Sequence, residues 1–370
     1  MKRLLHSPRL VIVLLAGLVL AACGDGSQSL PPPTPTGEGP ARPFALGLSS
    51  LPPELTEESY AGAFELAASA GEVILIQRTP PWQEMLSGDL SAETVQTTQR
   101  EIELAEEHGL DLFVAIDPMD VSTGRSRLAN LPDDLRGAGY ADDDIRRAFI
   151  AYAQYVAENY QPAYLALGVD VNSYQLRQPE DFEQFVTLYH EAYEAVKALS
   201  PETVVFPVFQ LEQLKGILPA AEPYLPQWRL IELFEPRLDL LAVNSFPSIV
   251  FVDPAHIPFS YFAQLAEYPE GPIASAGMGY SSGPGPNSAD DSSEEDQAAF
   301  LRLAFDSAEQ LSMPLVVWFV GQDLTFTGEP LFDQLQHIGL VHQDGTTKAA
   351  WREWQAAARR PLEAASGQGR

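Results

Sequence analysis

Cysteine is almost missing from this chain: Cys23 is the only one in 370 residues. Internal disulfides are therefore excluded, and stability must come from a large apolar core, for which the chain is long enough. Cations are scarce too, with 22 Lys and Arg against 51 Asp and Glu and a formal net charge of −29. So acidic a body is repelled by nucleic acid and by anionic lipid headgroups, and a polyanionic substrate would need a local basic pocket. The six histidines are dispersed without ligand spacing, so no metal and no cofactor are implied. There is no Gly-x-Ser-x-Gly elbow, no Gly-rich phosphate motif after the first strand-like run, and no repeat of solenoid type. Beyond the first twenty residues, no segment is long and apolar enough to span a bilayer.

What is present begins with a leader. Lys2, Arg3 and Arg9 give a positive end, and Leu10–Leu20 gives an apolar stretch too short for a comfortable transmembrane span. The stretch ends Leu20-Ala21-Ala22-Cys23 and resembles a bacterial lipobox, which is cut before a cysteine whose thiol is then lipidated. Residues 1–22 are thus expected to be a signal peptide, with Cys23 the lipidation site. Loss of the three leader cations takes the net charge to about −32. Residues 23–43 follow as a lipidated cysteine and a Pro-rich tether, in which Pro31, Pro32, Pro33, Pro35, Pro40 and Pro43 stand among Gly, Ser and Thr. The expected location is the bacterial cell envelope, exported and lipid-anchored. Gly24 after the cysteine favours an outer membrane or surface position.

Eight short apolar runs then recur: Phe44–Gly47, Val73–Gln77, Leu112–Ile116, Tyr164–Gly168, Val204–Phe209, Leu238–Val243, Ile273–Ala276 and Leu315–Phe319. Their starts lie 29 to 52 residues apart, the length of a strand, a helix and their loops. The runs are apolar at nearly every position, as parallel strands buried on both faces require. Between them lie helical stripes, such as Phe182, Phe185, Leu188, Tyr189, Ala192, Tyr193, Val196 and Leu199. Ile102, Leu104 and Ala105 begin another stripe that Gly109 ends, and Thr56 and Ser91 stand at helix starts. The expectation is α/β class: one (β/α)8 TIM barrel over residues 44–360, with residues 361–370 a disordered tail. An open doubly wound sheet is the alternative.

A barrel of this kind works at the C-terminal ends of its strands. Polar residues there are Gln77, Arg78, Asp117, Asp170, Asn172, Gln210, Asn244 and Trp318, with Trp82, Tyr174, Phe246, Tyr280 and Phe319 nearby. Acids, amides and aromatic faces suit sugars, whose hydroxyls take hydrogen bonds and whose C–H faces stack on rings. The candidate substrate contacts are Gln77, Arg78, Trp82, Asn172, Gln210, Asn244, Tyr280 and Trp318. Two long inserts, Asp117–Ala141 and Tyr280–Asp296, follow the third and seventh runs and would rim this face. The second reads as a mobile flap.

The run Tyr164-Leu165-Ala166-Leu167-Gly168-Val169-Asp170-Val171-Asn172 resembles the fourth strand of the clan of retaining (β/α)8-barrel glycoside hydrolases that includes the endo-galactanases. Val243-Asn244-Ser245-Phe246-Pro247 resembles that clan's sixth strand end, and Ile273-Ala274-Ser275-Ala276-Gly277-Met278-Gly279-Tyr280 its seventh. The close, Ile338-Gly339-Leu340-Val341-His342-Gln343-Asp344-Gly345, with Ala350-Trp351 beyond it, is similar to the common ending of these barrels. The resemblance implies a glycan-binding cleft. It also implies that the usual acids are not preserved, since Val169-Asp170 replaces the Asn-Glu pair and Gly277 takes the place of the nucleophile. Retaining chemistry needs two carboxyls about 5–5.5 Å apart. Asp117 and Asp170 remain as catalytic candidates, as an inverting pair about 6.5–9.5 Å apart, and Asp290 or Asp291 could fold back from the flap. The partner expected is a carbohydrate or other small ligand, the membrane being met through the lipid alone, with no nucleic acid and a monomeric state. A non-catalytic envelope scaffold is the alternative function.

Overall fold

Among the described residues, nine short strands, all parallel, run along the chain with helices between most of them. The computed structural model describes residues 39–220, 223–268, 271–283, 292–326 and 335–363. The leader, Cys23, most of the tether, Asp290, Asp291 and the residues from 364 onward lie outside the described residues. The strands are β1 (Ala45–Ser49), β2 (Val73–Arg78), β3 (Asp111–Ile116), β4 (Tyr164–Leu167), β5 (Val204–Phe206), β6 (Val208–Gln210), β7 (Leu241–Ser245), β8 (Ile273–Met278) and β9 (Leu315–Trp318). They are ordered β5-β4-β3-β2-β1-β9-β8-β7-β6.

The two ends of that ladder are halves of one strand. Pro207, which has no N–H to donate, separates β5 from β6. The first half pairs with β4, the second with β7, and the Val208 N–H donates to the Gly168 carbonyl at 2.9 Å. The ladder thus curls into a nearly closed barrel, and the eight apolar runs are its eight staves, the fifth in two pieces. The sixth stave starts later than the run beginning at Leu238. The Asp239 side chain is drawn into the ladder, accepting from the Val205 N–H at 2.8 Å, and the strand begins at Leu241.

Helices α1 (Glu57–Ala68), α2 (Trp82–Ser87), α3 (Ala92–His108), α4 (Asp143–Asn159), α5 (Val171–Arg177), α6 (Pro179–Leu199), α7 (Leu211–Leu214), α8 (Glu294–Gln310) and a closing helix, Ala349–Ala358, run between and after the strands. Thr56 and Ser91 cap α1 and α3 by accepting from Ser59 N and Thr94 N, and Gly109 ends α3 in the left-handed conformation. On α6 the stripe from Phe182 to Val196 faces the core, while Leu199 at its end is exposed.

Strand residues alternate between lumen and helix layer. Phe113, Tyr164 and Phe206 meet in the lumen, with ring centroids 5.5–6.1 Å apart. Phe44 stacks on Phe305 of α8 at 5.5 Å on the helix side. Just before β1, at the N-terminal end of the barrel, lies Arg42, which is 1% exposed. Its Nε donates to the Ala357 carbonyl at 3.2 Å, and its guanidinium bonds Phe44 O and Glu72. Arg42 also pairs with Leu362 in a β-bridge. This buried cation ties the chain entering the barrel to the chain leaving it.

Candidate functional site

Alternation decides which strand-end residues reach the barrel mouth. On β2 the inward Gln77 donates from Nε2 to Asp117 Oδ2 at 2.7 Å. Its neighbour Arg78 points the other way, into the helix layer, where it pairs with Glu101 of α3 and with Tyr60 OH at 2.9 Å. Glu101 is fully buried and also accepts from Tyr160 OH at 2.6 Å, so Arg78 belongs to a packed polar network rather than to the mouth.

On β7 the same split separates two neighbours. Asn244 faces inward and donates from Nδ2 to Asp170 Oδ1 at 3.0 Å, whereas Ser245 faces outward and donates to Glu212 at 2.8 Å. Glu212 is fully buried behind the strand. It accepts further bonds from the Phe246 N–H at 3.1 Å, from Tyr261 OH and from Gln210 Nε2. Burial pushes its carboxyl up, and the donors to it pull the other way. Sequence reasoning missed Glu212, which pins α7 to β7.

Gly277 reaches the inner face through an irregularity. Val243 pairs with Ser275, but Asn244 pairs with Gly277, so Ala276 is an extra residue in β8. Such a bulge re-aims the residues beyond it. A Cβ on Gly277 would lie 2.8 Å from Asn244 Oδ1 and 3.4 Å from the Phe319 ring. The space where a seventh-strand side chain would start is thus taken by the Asn244 amide. Phe246 and Phe319, half-buried and edge-to-face at 5.9 Å, form a wall beside it.

The residue that organises the mouth is Arg125, in the long insert after β3. Gly124 and Arg125 both take left-handed conformations, with φ of 64° and 62°, and turn the chain back over the barrel. From there Arg125 grips Asp117 with two nitrogens, Nη1 to Oδ1 at 2.8 Å and Nη2 to Oδ2 at 3.1 Å. Its Nε lies 3.3 Å from Asp170 Oδ2, and Nη1 also donates to the Val169 carbonyl at 3.2 Å. Burial opposes the Arg125 charge, but the two carboxylates outweigh it and hold the guanidinium protonated. Asp170 is itself left-handed, with φ of 49°, and its side chain is 17% exposed. Burial and the neighbouring Asp117 raise its carboxyl, against Arg125 and Asn244, which lower it. No periodicity in the insert singles out Arg125 from its neighbours Arg127 and Arg136, so only the loop path could reveal it.

The mouth therefore joins Gln77, Asp117, Asp170 and Asn244, and leaves out the remaining candidates. Asn172 is fully buried, exchanging bonds with the Gln210 backbone at 2.8 and 3.0 Å, and Gln210 caps α7 through Gln213 N at 2.6 Å. Trp82 donates to the Ala129 carbonyl at 2.8 Å and Trp318 to the Ile338 carbonyl at 2.7 Å, both within the core. Tyr280 is buried against Phe300, with its hydroxyl on the Phe251 carbonyl at 2.6 Å. These large rings read as mouth residues in the sequence because they sit near strand ends, yet each has its polar atom satisfied by backbone and offers no open face. Asp296 is taken up in the capping box of α8. Among the described residues no group of three or more His, Cys, Asp or Glu is placed to hold a metal.

Two outcomes test this geometry. Arg125→Met leaves Asp117 and Asp170 buried without a counter-ion and is expected to cost about 3–5 kcal/mol at neutral pH in urea unfolding. Adding Asp117→Asn should restore part of that loss, and a double variant no more stable than the single one would refute the ion-pair account. For Asp170, whose folded carboxyl is raised above 3.8, the favourable contribution is present at low pH and lost as pH rises through the folded value. The stability of Asp170→Asn relative to the native protein should therefore improve from pH 4 to pH 7, and a flat difference would contradict it.

No protein-family description matches this chain, and no curated protein matches it. Solved structures do. A GH5_18 protein from Streptomyces cattleya in complex with GlcNAc aligns at TM-score 0.64 and 16% identity, over 86% of this chain and 79% of that one. An exo-β-1,4-mannosidase from Opitutaceae bacterium strain TAV5 aligns at TM-score 0.63 and 15% identity, over 88% of this chain but only 61% of the mannosidase. Xylanase 10B from Thermotoga maritima aligns at TM-score 0.58 and 11% identity, over 85% of this chain and 94% of the xylanase. The chain thus has the parallel barrel fold of these glycoside hydrolases.

Proposed function

We propose that this chain is a lipid-anchored carbohydrate-binding barrel of the cell envelope, built on a glycosidase scaffold whose acid pair no longer works. The observation that carries the reading is Arg125 between Asp117 and Asp170. An inverting glycosidase keeps its two carboxyls about 6.5–9.5 Å apart so that a water fits between them. Here the guanidinium holds both carboxylates and takes the place of that water. A retaining mechanism needs a carboxylate on the seventh stave, where this chain has Gly277 beneath the Asn244 amide. The acid after the eighth stave, Asp323, is also committed: it accepts from Lys348 Nζ at 2.7 Å and from the Gly339 N–H at 2.9 Å.

Binding is supported by what stays open. Asp170 and Asn244 carry hydrogen-bonding oxygens at the mouth, and the Phe246–Phe319 wall offers an apolar face for a sugar ring. The GH5_18 structure that shares the fold was solved with a sugar bound. Anchoring rests on the Leu20-Ala21-Ala22-Cys23 sequence.

Two measurements test the reading. The full chain, incubated with a panel of plant and microbial polysaccharides, is expected to release no new reducing ends while retaining oligosaccharides in affinity electrophoresis. Release that Asp170→Ala abolishes would mean a working hydrolase instead. For the anchor, labelled palmitate supplied to a bacterial expression host should enter the native chain and not Cys23→Ser, and equal labelling would remove the lipoprotein assignment.

A further inference from the structure

We infer that the barrel mouth selects a cationic sugar, a hexosamine with a free amino group, over neutral, N-acetylated or acidic sugars. This rests on the carbohydrate-binding reading above and names the class of ligand for the same site.

The two acids of the mouth orient the amides beside them. An ionised carboxylate only accepts hydrogen bonds, so each amide beside one must turn its NH2 group toward it. Gln77 does so to Asp117 at 2.7 Å, and Asn244 to Asp170 at 3.0 Å. What each amide has left for a ligand is its carbonyl oxygen, and among the described residues no donor reaches Gln77 Oε1 or Asn244 Oδ1. Arg125, the cation of the mouth, directs Nη1, Nη2 and Nε at Asp117, Asp170 and the Val169 carbonyl. Four of its five N–H groups are thereby directed at protein acceptors.

The mouth therefore presents acceptors, and two carboxylates share one guanidinium, which leaves one negative charge uncompensated. Asp170 is the acid that solvent can reach, at 17% exposure against 6% for Asp117. Arg177 touches the outer edge of the Arg125 loop at Gly124, but it is exposed and screened by salt. A protonated amine brings three donors and the missing charge in one group, and a nearby aromatic wall adds a favourable face for a cation. Against Gln77, Asp117, Asp170 and Asn244, a carboxylate or sulfate on the ligand would meet like charge and acceptors, and an N-acetyl carbonyl would find no donor among these four side chains. The field of the whole chain, at −29, draws the same sign of ligand toward it.

The test is calorimetric titration of the full chain with four tetrasaccharides of matched length: glucosamine, N-acetylglucosamine, glucose and galacturonate oligomers. The glucosamine oligomer is expected to bind at least tenfold more tightly than the glucose oligomer in 150 mM salt, with the galacturonate oligomer weakest. Asp170→Asn should reduce glucosamine binding at least tenfold. Glu309→Gln, which removes the same charge from an exposed acid paired with Arg360, should leave binding unchanged. Equal affinity for glucose and glucosamine oligomers would overturn the charge selection and leave carbohydrate binding standing. A Glu309→Gln loss equal to that of Asp170→Asn would overturn it too, by showing that only the overall charge matters. Binding of none of the four would overturn both this inference and the carbohydrate reading. If Asp170→Asn does not fold, the rank order of the native chain decides the matter alone.

Discussion

In a closed ring of parallel strands, every strand residue faces either the lumen or the helix layer, and neighbours in sequence alternate between the two. The rest of this molecule depends on that alternation. It sends Gln77 to the mouth and Arg78 to a buried network with Glu101 and Tyr60. It sends Asn244 to Asp170 and Ser245 to Glu212. A single extra residue in β8, Ala276, then decides that Gly277 lies beside the Asn244 amide at the mouth. The closure that enforces the alternation is itself local, a Val208 to Gly168 hydrogen bond across the break at Pro207.

Within that frame one cation sets the chemistry of the mouth. Two acids at neighbouring strand ends would ordinarily repel each other and share a proton. Arg125 removes that conflict by binding both, with a bidentate grip on Asp117 and a looser contact to Asp170. The backbone accepts unfavourable torsions to achieve it, since Arg125 and Asp170 are both left-handed. Strained residues that face each other in a strand-end cluster are a mark of a site the structure maintains rather than of loose packing. A guanidinium held there fixes the direction of the carboxylates around it.

The fold alone would suggest more. Barrels that share 11–16% identity with this chain include a mannosidase and a xylanase. A scaffold of this kind tolerates wide change in its loops, and its function follows from the groups at the strand ends. Here those groups are a paired acid couple, two amides turned by it and a phenylalanine wall, on a body with a large excess of negative charge.

The sequence by itself determined the eight staves, the helix ends at Thr56, Ser91 and Gly109, and the position of Gly277 on the seventh stave, because burial on both faces leaves uninterrupted apolar runs and caps use a small set of residues. It also marked Asp117, Asp170, Gln77 and Asn244 as strand-end residues. It could not separate Gln77 from Arg78, since an apolar run carries no alternation to read and both residues follow it. It could not show that Trp82, Tyr280 and Trp318 are core, because a ring near a strand end looks the same whether its N–H or O–H meets a ligand or a backbone carbonyl. Arg125 was beyond sequence altogether: its role is fixed by two left-handed residues in an irregular loop, and long-range approach of a loop to two strand ends leaves no local pattern. Only the tertiary structure brought that cation and the two acids together.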